Sequence, residues 1–208
     1  MLLYCAMAEP LLIASHNPGK QREFAHALAG LPYEVVSLAE RGIRATVEET
    51  GTTFAENAIL KATAYAAMGG CLALADDSGL EVDALGGAPG VHSARFGGAG
   101  LDDRGRLHFL LEQLAAVPLD QRSARFVCVI AIAEEGRPTA LFTGVCPGMI
   151  VMAPRGSGGF GYDPIFQPLG ETRTMAELSV AEKQAISHRG KAIAQARAWL
   201  AERAQVRV

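Results

Sequence analysis

Lysine is scarce in this chain. Only Lys20, Lys61, Lys183 and Lys191 stand against fifteen arginines among 208 residues. Where arginine is the default surface cation, a lysine marks a need for a compact point charge. The formal net charge is −3, so no basic surplus exists to support general nucleic-acid binding or polybasic membrane attachment. No apolar run approaches the roughly 20 residues that span a bilayer. The opening MLLYCAMAEPLLIAS lacks the basic n-region of a signal peptide and runs into a strand-like segment, with Met7 as an alternative start. Cys5, Cys71, Cys128 and Cys146 form no CxxC pair and three lie in apolar runs, so reduced thiols in a cytosolic protein are expected. The five histidines show no i,i+4 pairing of a zinc helix. A Walker A loop is missing too: its first glycine would have to be Ala14, and Lys20 precedes Gln21 rather than Ser or Thr.

What is present is enough apolar material, 50% of residues, to bury a sizeable core. The expectation is residues 1–9 as an N-terminal extension and residues 10–208 as a single domain with two lobes. Pro10–Ala14 reads as a buried strand, and SHNPGK as a turn opening a helix near Gln21–Leu28. A second strand covers Glu34–Ser37. A helix over Thr53–Met68 starts on a capping box, Thr53-x-x-Glu56. A third strand, Leu72–Ala75, is predicted to end in the Asp76-Asp77-Ser78-Gly79 turn, followed by a glycine-rich loop over 85–100. Asp102–Ala116 is an amphipathic helix with Leu107, Leu110, Leu111 and Leu114 on one face. Arg125–Ala133 and Thr139–Cys146 flank Glu135-Gly136 as an antiparallel hairpin. A second capping box, Ser179-x-x-Glu182, opens a helix, and His188–Gly190 breaks the pattern before a last helix to about Ala204. Strands alternating with helices, then a hairpin, predict an α/β fold with a mixed sheet.

Five segments carry chemistry. The run ADDSGLEVDALGGAPGVHSARFGG delivers adjacent carboxylates at a strand end, and burying them costs several kcal/mol unless a cation or hydrogen bonds compensate. Oxygen-only ligands there suit Mg²⁺, which binds through one or two carboxylates plus substrate phosphates. A turn capped by Asp77 and Ser78 is the plainer alternative. Ser15-His16-Asn17-Pro18-Gly19-Lys20 places backbone N–H groups and Lys20 where an anion can sit at a helix start. Glu48-Glu49 precede the next helix, on which Asn57 and Lys61 share a face. Glu56 has a sufficient job in its capping box and could also reach a second metal. Gly156–Asp163 surrounds Phe160 and Tyr162 with glycines, a platform for stacking a planar base. Ser187-His188-Arg189-Gly190 sets two donors side by side, facing either a purine oxygen or the carbonyls of a helix end.

In this order, SHNPGK, EETGTTFAENAILKA, ADDSGLEVDALGGAPGVHSARFGG, GGFGYDPIF and EKQAISHRGKA resemble the inosine triphosphate pyrophosphatase (dITP/XTP pyrophosphatase) family over about residues 10–195. The resemblance implies an elongated mixed α/β fold of two lobes, a nucleotide cleft between them, and a homodimer. It implies hydrolysis of ITP, dITP and XTP to monophosphate and pyrophosphate, which would cleanse the nucleotide pool. It makes residues 15–20 the triphosphate turn, Glu48 and Asp77 the Mg²⁺ ligands, and Asp77 the general base aided by Lys20. Asn57, Lys61, Ser78, Phe160, Gly161, Tyr162, Asp163, Lys183, His188 and Arg189 become substrate contacts. The one departure is Ser15-His16 where members often carry Thr-Gly. Two rival readings are a phosphotransferase, which the missing Walker A disfavours, and a non-catalytic nucleotide-binding module, which has little use for a carboxylate cluster beside a phosphate turn.

Overall fold

A computed structural model describes residues 8–98 and 100–206. The expected extension lies largely outside the described residues, but Glu9 already belongs to the first strand. Six strands, β1 (Glu9–Ile13), β2 (Tyr33–Ser37), β3 (Leu72–Val82), β4 (Ser123–Glu134), β5 (Arg137–Ile150) and β6 (Phe166–Pro168), form one mixed sheet in the order β2-β1-β3-β4-β5-β6. Among the described residues, five α-helices accompany them: α1 (Pro18–Leu28), α2 (Phe54–Gly69), α3 (Asp103–Gln113), α4 (Val180–Ile186) and α5 (His188–Val206).

β1 lies parallel to both β2 and β3, with Leu12 opposite Val36 on one side and Ala73 on the other. Leu11–Ile13 of β1 and Leu72–Ala75 of β3 are buried and read as unbroken apolar runs, whereas β2, at the sheet edge, exposes Glu34. Two residues connect β4 to β5, which only an antiparallel pair permits. Glu135 and Gly136 both have positive φ there, 50° and 72°, the twist-matched turn that a two-residue hairpin needs. β6 runs antiparallel to β5.

The chain divides into two compact units, the first up to Asp77 with Val129–Phe142 and from Ile193, the second Ser78–Cys128 with Thr143–Ala192. The first packs Leu11, Leu12, Phe24, Leu28, Leu74, Ile130, Ile132, Ala196 and Leu200. Tyr33 donates its hydroxyl to the Leu200 carbonyl within it. The second has its own core around Leu80, Leu110, Leu114, Phe126, Ile150, Ile165 and Phe166. Leu107 and Leu110 of α3, and Leu114 at its C-cap, are buried there as the leucine spacing predicts, and Leu111 packs at the edge.

The largest difference from expectation is β3. It does not turn at Asp76–Gly79 but continues to Val82, so Asp77 and Ser78 are strand residues and not turn caps. Strand pairing and burial on both faces override the local turn preference of Asp, Ser and Gly. Helix α1 begins at Pro18, earlier than the pattern suggests. Asn17 is its N-cap, and proline suits a first turn whose N–H groups lack helical partners. The break near 188 falls one residue earlier, at extended Ser187, and His188–Gly190 open α5 instead of closing a helix. That removes the C-capping alternative for His188-Arg189.

Candidate active site

Connectivity explains why carboxylates and lysines meet in the first unit. The order β2-β1-β3 means that the chain leaves β1 in one direction through α1 and returns past it through α2. Right-handed crossovers in opposite directions put the two helices on opposite faces of the sheet. The switch point between β1 and β3 is where open α/β sheets bind ligands. Ile13 pairs with Leu74, so the turn after β1 lies beside Asp76 and Asp77. Successive strand side chains face opposite ways. Accordingly Asp76 meets Lys20 of α1, 2.8 Å away, and Asp77 meets Lys61 of α2 at 3.6 Å.

Asn17 Oδ1 accepts from the Gly19 and Lys20 amides at 2.8 and 3.1 Å, while Ser15 Oγ accepts from the Asn17 amide. These amides are therefore engaged by the cap, and the Lys20 ammonium and the α1 dipole supply the attraction for an anion. Lys61 also pairs with Glu49. Burial works against the Lys61 ammonium, but Asp77, Asp76 and Glu49 outweigh it and hold its pKa above the ordinary value. For Asp77 burial dominates, and with Glu49 nearby it lifts the carboxyl above the usual range against the pull of Lys61, the Asn57 amide and Lys20. The Lys61 ammonium is well held by the acids around it, while Asp77 is left with a net penalty from burial.

Three carboxylates, Asp76, Asp77 and Glu49, thus face two ammonium groups, Lys20 and Lys61. Carboxylates and ammonium groups gathered beside the turn of residues 15–20 are the donor types that a divalent cation and a polyanion would each engage. Among the described residues no three Asp, Glu, His or Cys side chains form a ready-made metal cage, and Mg²⁺ does not need one. Glu48 is exposed and points to no partner in this group, whereas its neighbour Glu49 is half-buried against Lys61. Glu56 Oε2 accepts from the Thr52 and Thr53 amides and the Thr52 hydroxyl, so its capping task is the one observed. Asn57 is fully buried, with its amide on Asp77 and its carbonyl on the Gly51 N–H.

The second unit holds a different group. Lys183 Nζ sits 2.7 Å from Asp163 Oδ2 and 4.9 Å from the centroid of the Phe160 ring, whose residue is 37% exposed. The Arg189 guanidinium lies 5.5 Å from the same ring and donates to Ser78 Oγ at 2.9 Å. Asp163 also accepts from the Phe160 amide. A Cβ at Gly159, where φ is +72°, would fall 2.0 Å from Asp163 Oδ2, so this turn requires glycine. The Gly161 amide donates to Asp103. His188 is buried and stacks on Phe126 at 4.7 Å and 12°. Tyr162 is buried as well and donates to the Ser93 carbonyl at 2.9 Å, so Phe160 is the exposed ring of the loop.

Sequence reasoning counted Asp76 among the adjacent carboxylates without giving it a role of its own, and gave no role in the site to Tyr65 or Ser93. Asp76 had a signal in strand alternation beside Asp77. Ser93 Oγ accepts from the Leu80 amide, and its carbonyl anchors Tyr162, links that no local pattern announces.

The fold and these groups define an α/β protein with carboxylates and lysines gathered at a switch point of its sheet and a ring-and-guanidinium group in its second unit. The chain belongs to the Ham1 family, whose profile matches residues 11–199. It is 52% identical over 183 residues to a dITP/XTP pyrophosphatase of Geobacillus kaustophilus, covering 88% of this chain and 90% of that one. A Bacillus subtilis protein of the same name is 48% identical, with 88% and 92% covered. The solved HAM1 protein of Coxiella burnetii superposes with a TM-score of 0.87 at 45% identity, over 93% of this chain and 99% of that one.

Proposed function

We propose that this protein hydrolyses purine nucleoside triphosphates bearing hypoxanthine or xanthine, ITP, dITP and XTP, to the monophosphate and pyrophosphate. The observation that carries the reading is Asp77, a buried carboxylate with a lifted pKa, placed between Lys61 and the phosphate turn of Lys20. Relatives about half identical over most of their length bear the name dITP/XTP pyrophosphatase.

In this reading Asp77, with the Glu48-Glu49 pair, holds Mg²⁺, which when bound neutralises the triphosphate and eases departure of pyrophosphate. Lys20 and Lys61 exchange their carboxylate partners for phosphate oxygens. Asp77 takes a proton from water as the water oxygen bonds to the α-phosphorus and the bond to the bridging oxygen of the β-phosphate breaks. No side chain need bond covalently to phosphorus. In the second unit Phe160 stacks on the base, and Lys183, His188 and Arg189 present donors to the oxygen at purine C6. Adenine carries an amino group there and meets donor with donor. The same proposal has residues 10–208 acting as one catalytic domain, as a homodimer in the cytosol, which the free thiols of Cys71, Cys128 and Cys146 suit.

The test is product analysis on ITP, XTP, dITP, ATP and GTP with Mg²⁺. Pyrophosphate from ITP and XTP, with little from ATP, is expected. Release of orthophosphate would overturn the bond assignment, and tight binding without turnover would make the protein a nucleotide-binding module.

A further inference from the structure

The segment 44–50, which carries Glu48-Glu49, forms neither helix nor strand. Two buried side chains of α2, Asn57 and Tyr65, fix it on either side of that pair. Asn57 takes the Gly51 amide at 2.8 Å. Tyr65, 2% exposed, donates its hydroxyl to the Ala45 carbonyl at 3.1 Å and accepts from the Val47 amide at 3.3 Å. His16 of the phosphate turn completes this node, with Nε2 at 3.3 Å from both the Tyr65 hydroxyl and the Ala45 carbonyl. Its ring meets the Tyr65 ring edge-on at 6.2 Å. With the proton on Nε2 every group in the node is satisfied: the imidazole donates, the phenol donates to Ala45, and the phenol oxygen accepts.

The geometry points to Tyr65 and His16 as a latch that holds the Glu48-Glu49 segment to the phosphate turn and thereby sets the affinity for the cation; this rests on the reading that Asp77 and that pair take one. Tyr65 is a positioning residue, since its hydroxyl is occupied by backbone groups and by His16. Releasing the latch loosens the segment while Asp77 and both lysines stay unsubstituted, with the Glu49–Lys61 pair and the Asn57–Gly51 bond as its remaining ties. The loss of one or two net hydrogen bonds would weaken cation binding about 5- to 10-fold.

Tyr65→Phe keeps the buried ring and removes only the hydroxyl. In the full-length variant three quantities are measured: amide hydrogen exchange at residues 45–47 without nucleotide, Mn²⁺ affinity without nucleotide, and the Mg²⁺ dependence of ITP hydrolysis. The expected result is faster exchange at Val47, Mn²⁺ affinity and Mg²⁺ half-saturation each poorer by about 5- to 10-fold, and kcat at saturating Mg²⁺ unchanged. His16→Ala should show the same exchange and Mn²⁺ effects, and His16→Gln, which retains a side-chain N–H donor, should recover part of both. Unchanged exchange, or faster exchange with unchanged Mn²⁺ affinity, overturns the latch. A fall in kcat with unchanged Mg²⁺ half-saturation also overturns it, by placing Tyr65 in the chemistry. If the unsubstituted protein hydrolyses none of the nucleotides, the functional reading fails, and exchange with Mn²⁺ affinity still decides the latch.

Discussion

The Asn57 amide donates to Asp77 Oδ2 at 3.1 Å while its carbonyl accepts from Gly51, so one buried side chain ties the candidate base to the end of the carboxylate segment. Asp77 is fixed in place but not fully compensated, because burial lifts its carboxyl above the ordinary range. A lifted acid contributes stability that is full below its unfolded pKa, about 3.9 for Asp, and lost as pH rises through the folded value. Asp77→Asn should therefore raise the melting temperature of the nucleotide-free protein at neutral pH. The gap should close as pH falls towards 4. Turnover should drop at least about 10²-fold, as for loss of a general base. Calorimetry across pH with an ITP assay checks both. A lower melting temperature at pH 7 would mean that Lys61 depends on Asp77 more than burial penalises it.

Lys20 and Asp76 form the other pair, with the Asp76 side chain nearly sealed from water. Lys20→Ala should destabilise the fold, by less than the about 3–5 kcal/mol of a fully buried pair because the lysine retains some solvent. Adding Asp76→Asn should restore most of that loss in urea unfolding. Triphosphate affinity, measured by titration calorimetry, should remain weak in both variants. Recovery of affinity along with stability would show that Lys20 serves the fold alone.

Arg189→Ala should reduce kcat/KM for ITP by about 10- to 100-fold while changing ATP little, since only ITP offers the C6 oxygen. Steady-state kinetics on the two nucleotides decides it. Equal losses on both would assign Arg189 to holding Ser78, to which it donates at 2.9 Å.

Tyr162→Phe leaves the buried Ser93 carbonyl without its 2.9 Å donor, at a cost of about 1–3 kcal/mol. Burial pushes the Tyr162 phenol up, so it remains a donor throughout ordinary pH and the deficit should not vary between pH 6 and about 9. Urea unfolding at several pH values tests this, and a neutral substitution would remove Ser93 as anchor of the loop.

The sequence disclosed what depends on neighbours along the chain. Both capping boxes formed as spaced, Thr53 with Glu56 and Ser179 with Glu182, because their partners lie three residues apart. The buried strand at Leu11–Ile13 and the leucine face of α3 followed from periodicity alone. What failed depends on distant partners. Asp76-Asp77-Ser78-Gly79 has the composition of a turn, and only pairing within the sheet keeps it extended. The anchors Tyr65 and Ser93 look like core tyrosine and loop serine until residues 18 and 69 positions away are brought to them. Of the Glu48-Glu49 pair, spacing could not say which acid turns towards Lys61.

The alternation of Asp76 and Asp77 across the sheet fixes the parity of chain length in this stretch. Remove one residue between Leu72 and Ala75, and Asp77 would take the position facing α1 while Ser78 took the position facing α2. Lys20 would still find a carboxylate, but Lys61 would meet a hydroxyl, and the candidate base would lie on the wrong side of the sheet. Point substitutions in the apolar run can be absorbed by repacking. A single-residue deletion there cannot, however well the shortened strand pairs with β1.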